Sequence, residues 1–254
     1  MKTILFCNAR DESTIHEWVA HHLLLGFDLI YLFDHKSIIP IQHSVSMFKK
    51  GVIVERCDIN GSIKLQLMMK AAKIAHSAGA DWLMYLDADE YLVLPLCSTV
   101  KEFLTRFQGS IDQICIPWLL FGTNQHVHTP KEGLLIDQYT ASEETLDQHV
   151  KSFVRPGQVV RALTPHSYII RNMSRTFSLP RKGTPFSTSA AFVAHYVFQS
   201  EERYIQRKLH LPRDDNYQFR GAEPNLHQKH NNVLNTFVKD KYAQRIQDLL
   251  DKLR

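Results

Sequence analysis

Three carboxylates stand together in the segment Leu83-Met84-Tyr85-Leu86-Asp87-Ala88-Asp89-Glu90-Tyr91, directly after an apolar run. Such a run reads as a strand buried on both faces, so its end is where water and ions first reach the chain. Carboxylates crowded there repel one another and raise each other's pKa, and a divalent cation is the natural compensation. Oxygen ligands suit Mg²⁺ or Mn²⁺. A cation so held would bridge a diphosphate. In nucleotide-sugar chemistry its charge acts most strongly as the bond to the anomeric carbon breaks and charge grows on the departing diphosphate. Asp89 is the residue to which this work is assigned, as metal ligand and catalytic group, with Asp87 as second ligand. Two other readings stand beside it. Asp87 and Glu90 can simply cap the next element, with Asp89 solvated. A phosphohydrolase with an aspartate nucleophile also wants D-x-D after a strand, but it would follow with a glycine turn and a hydroxyl residue, and Glu90-Tyr91 supplies neither.

A second polar segment, Asn8-Ala9-Arg10-Asp11-Glu12, follows the apolar run Thr3 to Cys7. If the strand order is that of a Rossmann-like half, these two loops face each other across a crevice where the winding reverses, and a nucleotide lies across both. Asn8 and Arg10 then belong to the donor site, Arg10 meeting the diphosphate, while Glu12 and Asp34 accept hydrogen bonds from base or ribose. The alternative for Asp11 and Glu12 is a simple preference for the positive end of the following helix. No G-x-G-x-x-G occurs here, which argues against a dinucleotide cofactor. Farther on, Lys151 and Arg155 lie four apart before Pro156, able to neutralise donor phosphates or to cover a loop. His195 follows the apolar run Ala190 to Ala194 and can reach a metal or satisfy a backbone carbonyl in the core. An inverting transfer needs a base for the acceptor proton, and Asp137 and His166 are the candidates, neither singled out. Trp118 and Phe121 can stack on an acceptor sugar or pack in the interior.

The elements that must position these groups are legible as alternating patterns. Thr3 to Cys7, Leu29 to Phe33, Val52 to Cys57 and Trp82 to Leu86 read as strands. Helical faces intervene, from a Thr14/Glu17 capping box to Gly26 and from Ile63 to Ala78 before Gly79. The order predicts βαβ crossovers, a mostly parallel sheet and functional loops at the carboxyl ends of its strands. Thr99 to Phe107 reads as a helix and Ile111 to Pro117 as a strand. The polar stretch from about 122 to 148 reads as a lid or binding loop. Val238, Tyr242, Ile246, Leu249, Leu250 and Leu253 form a helical stripe. We therefore expect one domain over 1–230 with an amphipathic helix at 231–254 packed on it.

With 254 residues, 44% of them hydrophobic, the chain can bury a large α/β core. A net charge of +4 is too small to predict nucleic-acid binding by counterion release. The four cysteines lack C-x-x-C spacing and suit buried thiols in a reducing compartment. Neither a secretory signal nor an apolar stretch long enough to span a bilayer is evident, so a cytoplasmic location, free of an integral membrane segment and open to peripheral membrane association, is expected.

Taken in order, these motifs resemble the glycosyltransferase 2-like and family 92 group. The resemblance runs through Asn8 to Glu12, Glu17-Trp18, His21-His22, Gly26-Phe27-Asp28, Gln66 and Asp87 to Tyr91. It continues through Trp118, Phe121-Gly122-Thr123, Lys151 to Pro156, His166, His195-Tyr196, Ser200, Glu202, Tyr204 and Lys208. It implies a GT-A fold, a nucleotide-diphosphate sugar donor with UDP-sugars favoured, a glycan acceptor, Mn²⁺ or Mg²⁺, and inversion at the anomeric carbon. It also implies that Gln66, Lys151 and Arg155 belong to the donor site and that His195 completes the metal shell. The sequence departs from the group at Ala9-Arg10-Asp11-Glu12, where Lys-Asn-Glu is usual, and at Leu211-Pro212-Arg213-Asp214, where Arg-Gly is frequent. The alternative from another class is a degenerate nucleotide-sugar-binding domain, which would not need an intact acidic cluster.

Overall fold

Apolar strands separated by amphipathic helices bury best as a sheet with helices laid against it, and the first ninety residues do this. The computed structural model describes residues 1–107, 109–223 and 225–254. Strands β1 (Thr3–Ala9), β2 (Leu29–His35), β3 (Val52–Cys57) and β4 (Trp82–Asp87) alternate with helices α1 (Ile15–Leu24), α2 (Ile41–Ser44) and α3 (Lys64–Ser77). They pair in parallel in the order β3-β2-β1-β4. This is the Rossmann-like half expected from the sequence.

Beyond β4 the sheet becomes mixed. The later elements are β5 (Glu90–Val93), α4 (Val100–Thr105), β6 (Gln113–Leu120), α5 (Leu135–Gln138), β7 (Ala141–Ser142) and β8 (Val150–Val154). They are followed by β9 (Val159–Thr164), β10 (Ser167–Ile170), β11 (Thr176–Ser178), β12 (Phe192–His195), α6 (Glu201–Tyr204), β13 (Val233–Leu234) and α7 (Phe237–Leu253). The main sheet has nine strands and continues from β4 through β8, β6 and β12 to β5, with β11 alongside β6. β8 inserts antiparallel between β4 and β6, and β5 pairs antiparallel with β12.

Two apolar layers flank the sheet. One is built on α1, β5, β6, β12 and α7, and the other on α3 with β9 and β10. All four cysteines are free and buried, as expected. α7 buries Val238, Tyr242, Ile246 and Leu250, and the Tyr242 hydroxyl accepts a hydrogen bond from the Leu94 N–H at 3.1 Å. Among the described residues no helix is long and apolar enough to cross a membrane.

Two local expectations fail for stated reasons. Thr14 makes no side-chain cap, its backbone at φ −96°, ψ 9° lying outside the extended conformation a capping residue adopts, and the Glu17 carboxylate that would complete the box is used elsewhere. It is buried and accepts from the Leu135 and Ile136 N–H groups at 2.6 and 3.3 Å, closing the start of α5. For the same reason the middle of the polar stretch is no lid. Leu134, Leu135, Ile136, Tyr139 and Leu146 are buried in the main core.

The Glu17-Trp18 and His21-His22 motif acts as a clamp on β5. Trp18 Nε1 donates to the Glu90 carbonyl at 2.7 Å, and His21 Nε2 lies 2.8 Å from the Leu92 carbonyl. His22 accepts from the Leu92 N–H at 3.3 Å, while its Nδ1 meets the Trp18 carbonyl at 2.8 Å. Burial pushes the Glu17 carboxyl up to about 8 and the His21 imidazole down to about 4. Helix α1 thus holds the strand that leaves the acidic cluster.

Candidate active site

Parallel pairing of β1 with β4 sets Asn8 opposite Asp87, so the two polar loops meet at the carboxyl ends of neighbouring strands. A cavity of about 460 Å³ opens there. That size lies within the range of small-molecule sites. Asn8, Arg10, Glu12, Asp87, Asp89, Trp118, His166 and His195 all line it.

The carboxylates are balanced by cations from four segments. Asp87 is bonded by Lys64, from the first turn of α3, and by Lys151 of β8 at 2.8 Å. Lys64 also donates to Asn8 Oδ1 at 2.8 Å and so joins the two strand ends. Burial pushes the Asp87 carboxyl up, but Lys151 and Lys64 outweigh it and hold the group well below the usual carboxylate range. Glu90 accepts from the Asp87 N–H at 2.8 Å and lies 3.1 Å from the Lys151 ammonium. Burial, the largest influence, leaves Glu90 raised.

Asp89 faces the segment after β12. Arg207 Nη2 and Lys208 Nζ approach its Oδ2 at 3.2 and 3.0 Å, and His195 Nε2 lies 3.7 Å from its Oδ1. Burial opposes ionisation here too, but Lys208, Arg207 and His195 together hold Asp89 well below its ordinary value. The register of β12 on β5 accounts for the histidine, since His195 pairs with Glu90 and the next N–H, of Tyr196, donates to the Asp89 carbonyl at 2.9 Å. Arg207 also bonds Glu12 Oε1 at 2.7 Å, with Arg203 on Oε2 at 3.2 Å. Both arginines come from α6 and the wider π turn, 205–209, that continues it. Glu12 is therefore committed to arginines in this state.

Other expected site residues lie elsewhere. Asp34 is buried and accepts from the Ser37 and Ile41 N–H groups and from Arg56, which closes the β2 loop on itself. Gln66 turns back to the Ser62 carbonyl. Arg155 packs its guanidinium over Trp82, 4.4 Å from the ring centroid, and pairs with Asp112. Phe121 is fully buried against Tyr196, out of reach of an acceptor. Asp137 accepts from the Leu134 N–H and faces Lys239, outside the cavity. Lys151 does reach the site, through Asp87.

Sequence reasoning missed Lys64, His149 and Arg207, which line the cavity together with the 211–215 loop, where the sequence departs from the family pattern. Lys64 left a signal: it shares a helical face with Leu67, Met68 and Ala71, where a lone cation needs a buried partner.

A divalent cation can be tested against this donor set. Among the described residues no group of three His, Cys, Asp or Glu side chains is arranged to hold a metal ion. Asp89 and His195 fit two positions, one oxygen and one nitrogen, with the remainder left to phosphate oxygens and water. Asp87, with both oxygens taken by lysines, joins them only if those bonds open.

Comparison with known proteins bears on what this crevice belongs to. The sequence profile of glycosyltransferase family 92 matches residues 2–242, nearly the whole chain. The chain belongs to glycosyltransferase family 92. A curated family 92 protein of Ricinus communis is 23% identical over 207 residues, covering 74% of this chain and 33% of that protein. This family 92 chain thus spans about a third of the length of the curated relative it matches. Among solved structures, S. aureus TarS 1-349 in complex with UDP-GlcNAc is 15% identical with a TM-score of 0.43, over 62% of this chain and 46% of that one. HddC from Yersinia pseudotuberculosis is 10% identical with a TM-score of 0.43, over 81% of this chain and 97% of that one.

Proposed function

We propose that this family 92 chain transfers a sugar from a nucleotide-diphosphate sugar, with UDP-sugars favoured, to a hydroxyl of a glycan acceptor, with inversion and with Mn²⁺ or Mg²⁺ as cofactor. The observation that carries the reading is the crevice at the β1/β4 switch point, where Asp87 and Asp89 are surrounded by Lys64, Lys151, Arg207 and Lys208. A purely structural ion-pair cluster needs no opening to solvent, whereas Lys64, Asp87, Asp89, Arg207 and Lys208 line a cavity of about 460 Å³, with Lys151 buried behind Asp87.

Lys64 and Lys151 keep Asp87 ionised and hold the two strand ends together. Arg207 and Lys208 are placed to exchange Asp89 for donor phosphates, because an arginine fork and a lysine ammonium bind phosphate as readily as carboxylate. Arg10, at the mouth of β1, adds charge on the other side of the crevice. Asp89 and His195 would hold the metal, which when bound supplies positive charge to the diphosphate as its bond to the sugar breaks. Trp118, beside His195, offers a face for the acceptor sugar.

Thermal unfolding with UDP tests the reading. At a hundredfold excess over Kd, UDP with Mn²⁺ raises Tm by roughly 5–10 °C. Omitting the metal, or substituting Asp89→Asn, removes most of that shift. An equal shift with and without metal in both proteins contradicts the cofactor, and no shift with UDP or GDP contradicts the donor site.

A further inference from the structure

One wall of the crevice carries three imidazoles around a single indole. Trp118 has its ring centroid 5.1 Å from His149, 4.9 Å from His166 and 4.3 Å from His195. They are not equivalent. His195 faces Asp89. His166 is pushed down to about 4 by burial and then by Lys151, which leaves it a weak base. His149 has a carboxylate of its own, with Asp147 Oδ1 2.6 Å from its Nδ1.

The backbone holds this dyad rigidly. The same Asp147 oxygen accepts from the His149 N–H at 2.8 Å. Both residues are tied to β6 through Trp118, whose N–H donates to the His149 carbonyl at 3.0 Å and whose carbonyl accepts from the Asp147 N–H at 2.8 Å. Strand alternation then puts His149 on the face of Lys151, the residue that bonds Asp87. With Nδ1 on a carboxylate, Nε2 is left to the cavity that His149 lines. This is how a carboxylate sets the tautomer of an imidazole base and stabilises its cation.

The other carboxylates of the crevice are taken. Glu12 is held by two arginines, Asp87 by two lysines, Asp89 by Arg207 and Lys208, and Asp215 by Arg213. Asp214 accepts from Asn8 at 2.5 Å and lies 3.6 Å from His35.

We infer that His149, oriented by Asp147, is the base that takes the proton of the acceptor hydroxyl. The inference rests on the transfer reading above and supplies the group that reading lacks. The acceptor oxygen bonds to the anomeric carbon while the bond from that carbon to the donor diphosphate breaks, its electron pair leaving with the diphosphate. The hydroxyl proton passes to His149 Nε2, Asp147 stabilises the imidazolium, and the ring, 47% exposed, returns the proton to water. Asp147 is a positioning residue.

The test measures UDP release from UDP-glucose, UDP-galactose and UDP-N-acetylglucosamine with a set of methyl glycosides as acceptors, alongside UDP affinity. His149→Gln lowers kcat by about 10²- to 10⁴-fold, with UDP affinity kept within about twofold. Added imidazole restores part of the rate of His149→Ala. Asp147→Asn lowers kcat at least about tenfold with little change in KM. Retention of kcat in His149→Gln to within tenfold overturns the assignment, as does a parallel loss of UDP affinity, which would make His149 a donor-binding residue. UDP release by the wild type that is lost in the His149 variants while UDP binding is kept supports the dyad, whereas wild-type protein that releases no UDP with any of these donors and acceptors, whether or not it binds UDP, overturns the transfer reading and the dyad with it.

Discussion

At the scale of single residues, the site is a charge lattice in which each member is tolerable only because of its neighbours. Lys151 and Glu90 are both fully buried, 3.1 Å apart. Removing one partner of such a pair leaves an uncompensated charge in the interior. Lys151→Met is therefore expected to lower stability by about 3–5 kcal/mol in chemical denaturation, and adding Glu90→Gln to recover part of that loss. A Lys151→Met protein as stable as the wild type would mean that the pair carries little. The acidic half of the lattice was readable because Asp87 and Asp89 end an apolar strand. The basic half was legible only in part: Lys151 was singled out beside Pro156, whereas Lys64 and Arg207 come from distant segments whose pairing with the carboxylates no local pattern gives. Asp34, Gln66 and Arg155 show the converse: polar residues that fitted the donor site by position but whose side chains are held by structural partners away from the crevice.

At the scale of elements, α1 aligns the strand that follows the acidic cluster, and Glu17 extends its grip to α5. Glu17, raised to about 8 by burial, keeps its proton in the folded protein at pH values where the unfolded chain, with an ordinary value of 4.5, has lost it. Its contribution is thus fully present at low pH and is lost as pH rises from about 4.5 through 8. Glu17→Gln should flatten the stability profile over that window, measured by denaturation at a series of pH values. An unchanged slope would mean that Glu17 is ionised when folded. His21, lowered to about 4 by burial, acts with the opposite sign, since stability falls as pH drops from 6.5 towards 4. Gly122 is a further constraint, because a Cβ there would come within 2.6 Å of the His230 carbonyl oxygen and strike the Asn231 side chain. The capping-box spacing of Thr14 and Glu17 suggested a local role. Tertiary partners, invisible in the local pattern, took the carboxylate instead.

At the scale of the whole molecule, the first four strands and helices α1 and α3 were legible because each carries its own period, whereas the single turn of α2 is too short to show one. The antiparallel insertion of β8 between β4 and β6 was not, because no local pattern tells a strand which neighbour it will join. That insertion delivers both Lys151 and His149 to the crevice. α7 closes the other flank of the sheet through Val238, Tyr242, Ile246 and Leu250. Ile246→Ala should shift the unfolding of the whole chain by about 2–5 kcal/mol, seen as one transition by circular dichroism and tryptophan fluorescence alike. Loss of helical signal without a change in the fluorescence transition would show that α7 is an appendage.

The crevice itself is tested most directly by a crystal structure grown with Mn²⁺ and UDP, the metal located by its anomalous scattering. The account predicts manganese in contact with Asp89 and His195, and the diphosphate against Arg207 and Lys208, which have let go of Asp89. UDP bound elsewhere, or in the crevice without manganese and with those ion pairs intact, would contradict it.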